Sequence, residues 1–332
     1  MAFARSVIFS GLLLAAACAS APPAPIPPAV ALAPGANAFE SGSAAARPDA
    51  SAHLRIQQIC EGRNDAQDVE KYDGEFGPTR AFVLAAAPAT ARLVWNTDRA
   101  RAYAPYQGTL YGAACTGTLV DADHLLTAAH CIEIGPSPRT NRATPLRPTS
   151  DGGYESIPPE DIATLLDAEF NYQLAPDGSR RTSVSFAVEK AVEHGINTDR
   201  TIGIDFALLK LAPLPDGRRP GDLFAHIKWS AEHDAYDAAT FLTVIQHPAG
   251  DFKKIHAGPK KAFSGASQRQ ELRYASIDTL ANSSGSGIID QTGRLIGVHV
   301  LGGCQEAVLF NAGVSLVAVR ARSSYFSQSH QE

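Results

Sequence analysis

The sequence predicts an all-β fold, either a barrel or a sandwich, and three observations support that prediction. From Ala81 onward, short apolar runs alternate with turn-forming Gly, Pro, Asn and Asp residues, a pattern typical of many short strands. No long segment shows the apolar periodicity of a helix. The chain has 332 residues, of which 45% are hydrophobic, and this is enough for one large core or for two lobes.

The first 18 residues are typical of an export signal. Arg5 supplies a positive charge, and residues 7–17 form an apolar run too short to span a bilayer. Residues 14–18 (LAAAC) resemble a bacterial lipobox, in which Cys18 would be lipidated, although Ala15 stands where leucine is usual. Ordinary cleavage within the alanine-rich run is the alternative. In both cases we expect export to the periplasm, the cell envelope or the medium.

Two segments are expected to precede the folded body. Residues 19–50 are rich in Ala and Pro, with Ser and Gly, and cannot bury enough apolar surface to order themselves. They are interpreted as a linker between the envelope and the folded body. Residues 51–80 are polar and are interpreted as an N-terminal arm.

Charge excludes one class of partner. Charged residues make up 19% of the chain and the formal net charge is −5, without a useful cluster of Lys and Arg, so no nucleic-acid partner is expected. The pairs Lys253-Lys254 and Lys260-Lys261 are expected to be solvated hairpin positions. Contact with a membrane is expected only through a lipid on Cys18.

The folded body is predicted to span residues 81–322 in two halves. The proline-rich residues 135–181 are interpreted as a surface insertion in the first half, with a short helix near Pro159–Asp167. A linker near residues 213–222 separates the halves, and a helix over Ser315–Ser323 closes the chain. The predicted strands are Ala91–Trp95, Gly108–Gly112, Gly117–Val120, His124–Thr127, Thr240–Gln246, Glu271–Tyr274, Ile288–Asp290, Leu295–Val300 and Val308–Val314.

Three distant segments carry residues suited to nucleophilic catalysis. His130 lies in the run Leu-Thr-Ala-Ala-His-Cys, and Asp205 begins an apolar strand. Residues 282–287 (NSSGSG) place serines in a glycine-rich turn before another strand. Each could be structural, as a packed histidine, a capping carboxylate or a solvated turn. The order His, Asp, Ser is nevertheless one in which serine triads are known to run.

With these blocks, the chain resembles the trypsin-like serine proteases of the chymotrypsin fold, and more closely their bacterial, glutamyl-endopeptidase-like branch. The resemblance covers roughly residues 80–322 and rests on residues 127–131, 205–211 and 278–290, with support from residues 245–248 and 295–299. It implies two six-stranded antiparallel β-barrels with a short C-terminal helix. It also implies hydrolysis of protein or peptide substrates without a cofactor.

The resemblance implies a role for each residue of a triad. His130 would take the proton of Ser284, and Asp205 would hold the other imidazole nitrogen. Asp199 is the nearest rival to Asp205. Of the three serines in the turn, only Ser284 aligns with the nucleophile of the family. The Gly-x-Ser-x-Gly pattern of α/β-hydrolases is absent here.

The resemblance assigns the oxyanion hole to the backbone N–H groups of Asn282 and Ser284. The family usually has glycine where Asn282 stands, and Asn tolerates left-handed backbone better than most residues. Ser283 occupies the position at which trypsin-like zymogens carry an aspartate that pairs with a new N-terminus. Serine cannot form that ion pair, so we expect the turn to be ordered without this switch.

Two signals for substrate specificity conflict. Thr279 and His299 fall where glutamyl endopeptidases bind an acidic side chain. Asp278 falls where trypsin selects basic residues, or it could be structural. A preference for Glu or Asp before the cleaved bond is the favoured interpretation, and a preference for basic or other residues is the alternative. His247 is assigned to a turn before Pro248, without a catalytic part.

Cysteine usage agrees with export. Besides Cys18, the chain has an even number of cysteines, Cys60, Cys115, Cys131 and Cys304, which suggests two disulfides with three pairings open. The resemblance favours Cys115–Cys131, which leaves Cys60–Cys304. Spacing of the CxxC type is absent, so no metal site is expected.

The leading hypothesis is therefore an exported, monomeric serine endopeptidase. A protease-like binding protein of the cell envelope, with weak or lost activity, is the alternative, and Asn282 in place of glycine keeps it open. A maintenance protease of the envelope is disfavoured, because a C-terminal peptide-binding domain would be expected and the sequence ends at Glu332.

Overall fold

The structure is a computed structural model that describes residues 59–60, 62–103, 113–133, 145–196, 204–265, 269–304 and 309–328. The predicted signal and linker, residues 51–58 of the arm, and the predicted strand Gly108–Gly112 lie outside these residues. None of the described helices is long and apolar enough to cross a membrane.

Strands dominate the described part of the chain. In order they are β1 (Gln67–Asp68), β2 (Thr90–Trp95), β3 (Ala113–Leu119), β4 (His124–Thr127), β5 (Leu146–Pro148), β6 (Tyr154–Ser156), β7 (Leu166–Phe170), β8 (Val184–Ile196), β9 (Asp205–Leu211), β10 (Phe241–Gln246), β11 (Lys254–Pro259), β12 (Glu271–Tyr274), β13 (Gly287–Asp290), β14 (Leu295–Leu301) and β15 (Asn311–Ser315). The helices are short: α1 (Arg80–Ala86), α2 (Thr97–Ala100), α3 (Pro159–Ala163), α4 (Pro220–Leu223), α5 (His233–Ala238), α6 (Leu316–Arg320) and α7 (Ser324–Ser327). The all-β prediction is confirmed.

The first lobe is a closed antiparallel barrel in the order β2-β3-β4-β9-β8-β7. In β9, four consecutive residues, Phe206 to Leu209, are each at most 1% exposed. Because successive side chains of a strand point to opposite faces, both faces of β9 are covered. Asp205, the first residue of β9, is therefore held in place by a well-packed strand of the barrel.

The second lobe is a seven-stranded antiparallel sheet in the order β1-β11-β10-β13-β14-β15-β12. It contains the six strands β10–β15 expected for a second barrel, but β12 and β11 form no ladder. Pro259 ends β11 and has no N–H to donate to one. One backbone hydrogen bond, from Lys261 to Arg273 at 2.7 Å, links the segment after β11 to β12.

The N-terminal arm is part of the second lobe. Its β1 pairs with β11, Gln67 opposite Ile255, and becomes the seventh strand. Cys60 is bonded to Cys304, just after β14, and a second disulfide joins Cys115 to Cys131 in the first lobe. The arm is thus tied to the second lobe by both a strand and a covalent bond.

Part of the segment interpreted as an insertion belongs to the barrel. Within residues 135–181, β7 pairs with both β2 and β8. Its charged residues masked the strand pattern, and the barrel neutralises them by ion pairs from Arg99 to Asp167 and from Arg92 to Glu169. The predicted short helix is present as α3. Of the predicted closing helix Ser315–Ser323, α6 is present, and the separate helix α7 follows it.

The expectation that Lys253 is solvated is wrong. Its side chain is fully buried, and Nζ donates to the carbonyl of Ala87 at 2.8 Å. Burial lowers the pKa of Lys253 to about 7, and the carboxylate of Glu70 opposes this shift. The two lysines of the pair therefore have different environments: Lys253 is buried, and Lys254 forms an ion pair with Asp68 of the arm.

Candidate active site

His130 lies in a short turn held from two sides. Strand β4 ends at Thr127, and residues 129–131 form one 3₁₀ turn. The disulfide from Cys131 to Cys115 fastens this turn to β3. The imidazole is about one quarter exposed, at 27%, so that it faces the solvent-accessible side of the barrel.

Asp205 contacts His130 through two hydrogen bonds, although 75 residues separate them. One carboxylate oxygen accepts from the backbone N–H of His130 at 3.1 Å, and the other lies 2.6 Å from Nδ1. A carboxylate can only accept, so the proton of a neutral His130 resides on Nδ1. This leaves Nε2 as the basic nitrogen, the protonation state that a general base requires.

The serine turn, residues 280–286, presents one of its three serines differently from the others. Ser283 and Ser286 are fully buried; Ser283 Oγ accepts from the N–H of Leu280, and Ser286 Oγ donates to the carbonyl of Ser283. Ser284 is half-buried. Burial and existing bonds leave Ser284 as the serine of this turn that is available for reaction.

Backbone contacts bring Ser284 beside the histidine turn. Its carbonyl accepts from the N–H of Thr116 at 2.8 Å and lies 4.0 Å from the sulfur of Cys131. Among the described residues, the Ser284 hydroxyl makes no hydrogen bond to His130. Such bonds are often long in unliganded enzymes and shorten when substrate binds.

Two residues of the serine turn have positive φ. Asn282 has φ 72° and Gly285 has φ 87°. A Cβ at Gly285 would come within 2.0 Å of Thr127 Oγ1 and 2.1 Å of the Thr116 carbonyl, so only glycine fits there. Asn282 adopts the left-handed conformation that glycine usually supplies, and its side chain donates to the carbonyl of Ala114 at 2.9 Å.

Thr279 and His299 are both buried, at 1% and 2% exposure. The hydroxyl of Thr279 has no hydrogen-bond partner among the described residues. His299 Nδ1 lies 2.5 Å from the hydroxyl of Tyr274. Burial, followed by the charge of nearby His130, lowers the pKa of His299 to about 3, so the ring is neutral at physiological pH.

Asp278 contacts the N-terminal arm. One carboxylate oxygen accepts from the N–H of Cys60 at 2.8 Å, and the backbone N–H of Asp278 donates to His256 Nδ1 at 2.9 Å. Burial raises the pKa of Asp278 to about 6, and the Cys60 N–H opposes this shift. These contacts favour the structural interpretation of Asp278 over that of a basic-residue selector.

Three groups of potential metal ligands lie among the described residues, and each has other partners. Two cysteines of the first group are in a disulfide and cannot bind as thiolates. In the second, His256 accepts from the backbone of Asp278; in the third, Asp121 bonds His124 and Tyr325. The groups are Cys115/His130/Cys131, Asp65/His256/Asp278 and Asp121/Asp123/His124.

His247 and Thr116 are buried residues that hydrogen-bond to each other next to the site. His247 is fully buried, its Nδ1 is 2.9 Å from the carbonyl of Asp251, and a 3₁₀ turn follows at residues 248–250. Its backbone N–H donates to Thr116 Oγ1 at 3.1 Å. Thr116 directly precedes the predicted strand Gly117–Val120 and was not predicted as part of the site; its position next to Cys115 was the one available signal.

The arrangement is suited to acyl transfer. It combines an oriented imidazole whose Nε2 has no hydrogen-bond partner in the described part of the chain, a hydroxyl on a neighbouring turn, and backbone N–H groups at that turn. The N–H of Ser284 makes no hydrogen bond among the described residues. A donor without a partner beside a nucleophile can bind a developing negative charge.

Comparison with known proteins agrees with this geometry. The sequence model of the trypsin-like peptidase domain matches residues 115–298, more than half of the chain. That span contains His130, Asp205 and Ser284. No curated protein sequence matches the chain.

The chain is also similar in structure to several solved proteins. A Glu endopeptidase is 16% identical, with 81% of this chain and 96% of that chain covered, at a TM-score of 0.44. The thermostable serine protease AL20 from an extremophilic microorganism is 13% identical, with coverage of 74% and 99% and a TM-score of 0.45. The Vibrio cholerae VesB protease is 15% identical, with coverage of 70% and 62% and a TM-score of 0.43.

Proposed function

Because this chain belongs to the trypsin-like peptidase family and is therefore a peptidase, we propose that it is an exported serine endopeptidase that uses His130, Asp205 and Ser284 as its triad. The observation that carries the proposal is the pair of hydrogen bonds between Asp205 and His130. Ser284 completes the set as the half-buried serine of the adjoining turn.

The proposed reaction proceeds in two halves. Nε2 of His130 takes the hydroxyl proton as Ser284 Oγ attacks the substrate carbonyl, and the N–H groups of Asn282 and Ser284 bind the resulting oxyanion. The imidazolium, stabilised by Asp205, then gives its proton to the leaving amine, and an acyl-enzyme remains. Water, deprotonated by His130, releases the acyl group and restores the serine.

We further propose a preference for Glu or Asp before the cleaved bond. The support is the Thr279 hydroxyl, which is buried and unpartnered. A buried hydroxyl without a hydrogen-bond partner costs about 1–3 kcal/mol. A substrate carboxylate that accepts a hydrogen bond from Thr279 would recover this free energy. The neutral His299 ring carries no negative charge that would oppose an acidic side chain, and Asp278 is engaged by the arm.

The preference is tested with a peptide series that varies only that residue among Glu, Gln, Lys and Phe. We expect the highest kcat/KM for Glu. Thr279→Val should lower kcat/KM for the Glu peptide by about tenfold and change that for Gln less than threefold, because only the charged substrate needs the hydroxyl.

Asp278→Asn is the matched control, because Asn retains an oxygen to accept from the Cys60 N–H. It should keep the Glu preference. A wild-type enzyme that prefers Lys, and loses this preference in Asp278→Asn, would show instead that Asp278 selects basic residues.

Export is proposed from the signal-like first 18 residues and is supported by the two disulfides, which form and persist in oxidising compartments. Mass spectrometry of the N-terminal peptide, from protein expressed in a bacterium at full length, tests it. A lipid-modified Cys18, or a free N-terminus shortly after the apolar run, is expected. A cytoplasmic chain that retains residues 1–18 would contradict export.

A further inference from the structure

Every carbonyl of residues 281–284 in the serine turn accepts a hydrogen bond. The Ala281 carbonyl accepts from the N–H of Ala249 at 2.6 Å. The Ser283 carbonyl accepts from the N–H and hydroxyl of Ser286. The remaining two, those of Asn282 and Ser284, accept from a single residue, Thr116, through its hydroxyl at 2.8 Å and its N–H at 2.8 Å.

These carbonyls determine where the proposed oxyanion donors point. In a trans peptide the C=O of one residue and the N–H of the next point in opposite directions. The N–H of Asn282 belongs to the same peptide as the Ala281 carbonyl, which Ala249 bonds. The N–H of Ser284 belongs to the same peptide as the Ser283 carbonyl, which Ser286 bonds. The peptide between these two carries the Asn282 carbonyl, which accepts from the Thr116 hydroxyl. Losing this bond would weaken the restraint on Asn282 at its φ of 72°, although its side chain would still bond to the carbonyl of Ala114.

The Thr116 hydroxyl has a defined orientation. It is fully buried, and its oxygen accepts from the N–H of His247 at 3.1 Å. With that lone pair occupied, the hydroxyl proton is directed to the Asn282 carbonyl. The carbonyl of Thr116 in turn accepts from the hydroxyl of Thr127 at 2.7 Å, three residues before His130. One residue therefore connects the segment of the base to the turn of the nucleophile.

We propose that Thr116 is a positioning residue that holds the serine turn in its oxyanion-binding conformation without a zymogen-type ion pair. This inference rests on the proposed function. Ser283, at the position of the zymogen aspartate, carries no charge and is bonded to Leu280 inside the turn. The restraint comes instead from β3 of the first lobe, which is in place whenever the barrel is folded.

The test compares Thr116→Val and Thr116→Ser with Thr118→Val in the mature, disulfide-bonded enzyme. Valine keeps the shape of threonine and removes its hydroxyl. Thr118 is the matched control because it lies on the same strand, is also buried, and also bonds the second lobe, its hydroxyl accepting from the N–H of Gly287 at 2.9 Å. Gly287 lies beyond the proposed oxyanion donors.

We expect Thr116→Val to lower kcat by about 10- to 100-fold with KM within threefold, because misplaced donors cost rate rather than substrate binding. Its affinity for a peptide aldehyde, which forms an oxyanion on Ser284, should fall by a similar factor. Thr116→Ser should restore both values to within threefold. Thr118→Val should lower the melting temperature as Thr116→Val does and keep kcat within threefold.

Equal kcat in Thr116→Val and wild type, or equal losses in the two valine variants, would overturn the inference. If Thr116→Val does not fold, Thr116→Ala replaces it, with folding verified by near-UV circular dichroism. A wild-type enzyme that neither hydrolyses peptides nor reacts with an active-serine phosphonate would instead refute the proposed function, so the two failures are distinguishable.

Discussion

Replacing Ser284 with alanine should lower kcat for peptide hydrolysis by about four to six orders of magnitude and leave substrate binding nearly unchanged. The loss is large because the attacking atom is removed, while the oxyanion donors and the substrate contacts persist. Steady-state kinetics with a sensitive fluorogenic peptide can measure it, and labelling with an active-serine phosphonate should disappear completely.

The other two serines of the turn provide matched controls. Ser283→Ala and Ser286→Ala each remove a hydroxyl that is fully buried and already hydrogen-bonded. They should reduce stability by about 1 kcal/mol each and still react with the phosphonate. Mass spectrometry of the labelled peptide identifies the nucleophile directly. A label on Ser283 or Ser286, or hydrolysis by Ser284→Ala at more than a hundredth of the wild-type rate, would refute the assignment.

The second large effect is expected from Asp205→Asn, which should lower kcat by about 10⁴-fold. An amide of the same shape can turn its NH₂ toward Nδ1 of His130 and would then stabilise the tautomer that protonates Nε2. The nitrogen that must accept the serine proton would be blocked. The rate should recover partly at high pH, and a pH–rate profile measures this recovery.

Asp199→Asn is the control, because Asp199 is the nearest rival carboxylate in the sequence and lies outside the described residues. This variant should keep kcat within threefold of wild type. If Asp199→Asn lost activity while Asp205→Asn retained it, the bond from Asp205 to His130 at 2.6 Å would have no catalytic importance.

The sequence predicted elements well where the information is local. Strands β4 and β12 begin and end at the predicted residues. In β4 the local signal is the pair Leu125-Leu126, which follows the turn-forming Asp121 and Asp123. The all-β class follows from the same signals. The neighbourhood of His130 and Asp205 could be predicted only through a resemblance, because no local pattern indicates a contact between residues 75 positions apart.

Features that depend on distant partners were missed. Strand β7 was assigned to an insertion because the segment around it is rich in proline. Its Asp167 and Glu169 gave no apolar run to contradict that assignment, and the arginines that neutralise them lie 68 and 77 residues away. The buried Lys253 was missed for the same reason, since its acceptor is the carbonyl of Ala87. The role of Thr116 could not be predicted either, because the carbonyls that accept from it lie 166 and more residues away.

The bridge from Cys60 to Cys304 joins residues 244 positions apart in sequence, and every residue assigned to catalysis or specificity lies between its ends. A peptidase released among copies of itself is exposed to self-digestion. Any single cut inside this covalent ring leaves both fragments joined, whereas a cut ahead of Cys60 sheds only the leader. Trimming of the N-terminus can therefore proceed without dismantling the enzyme.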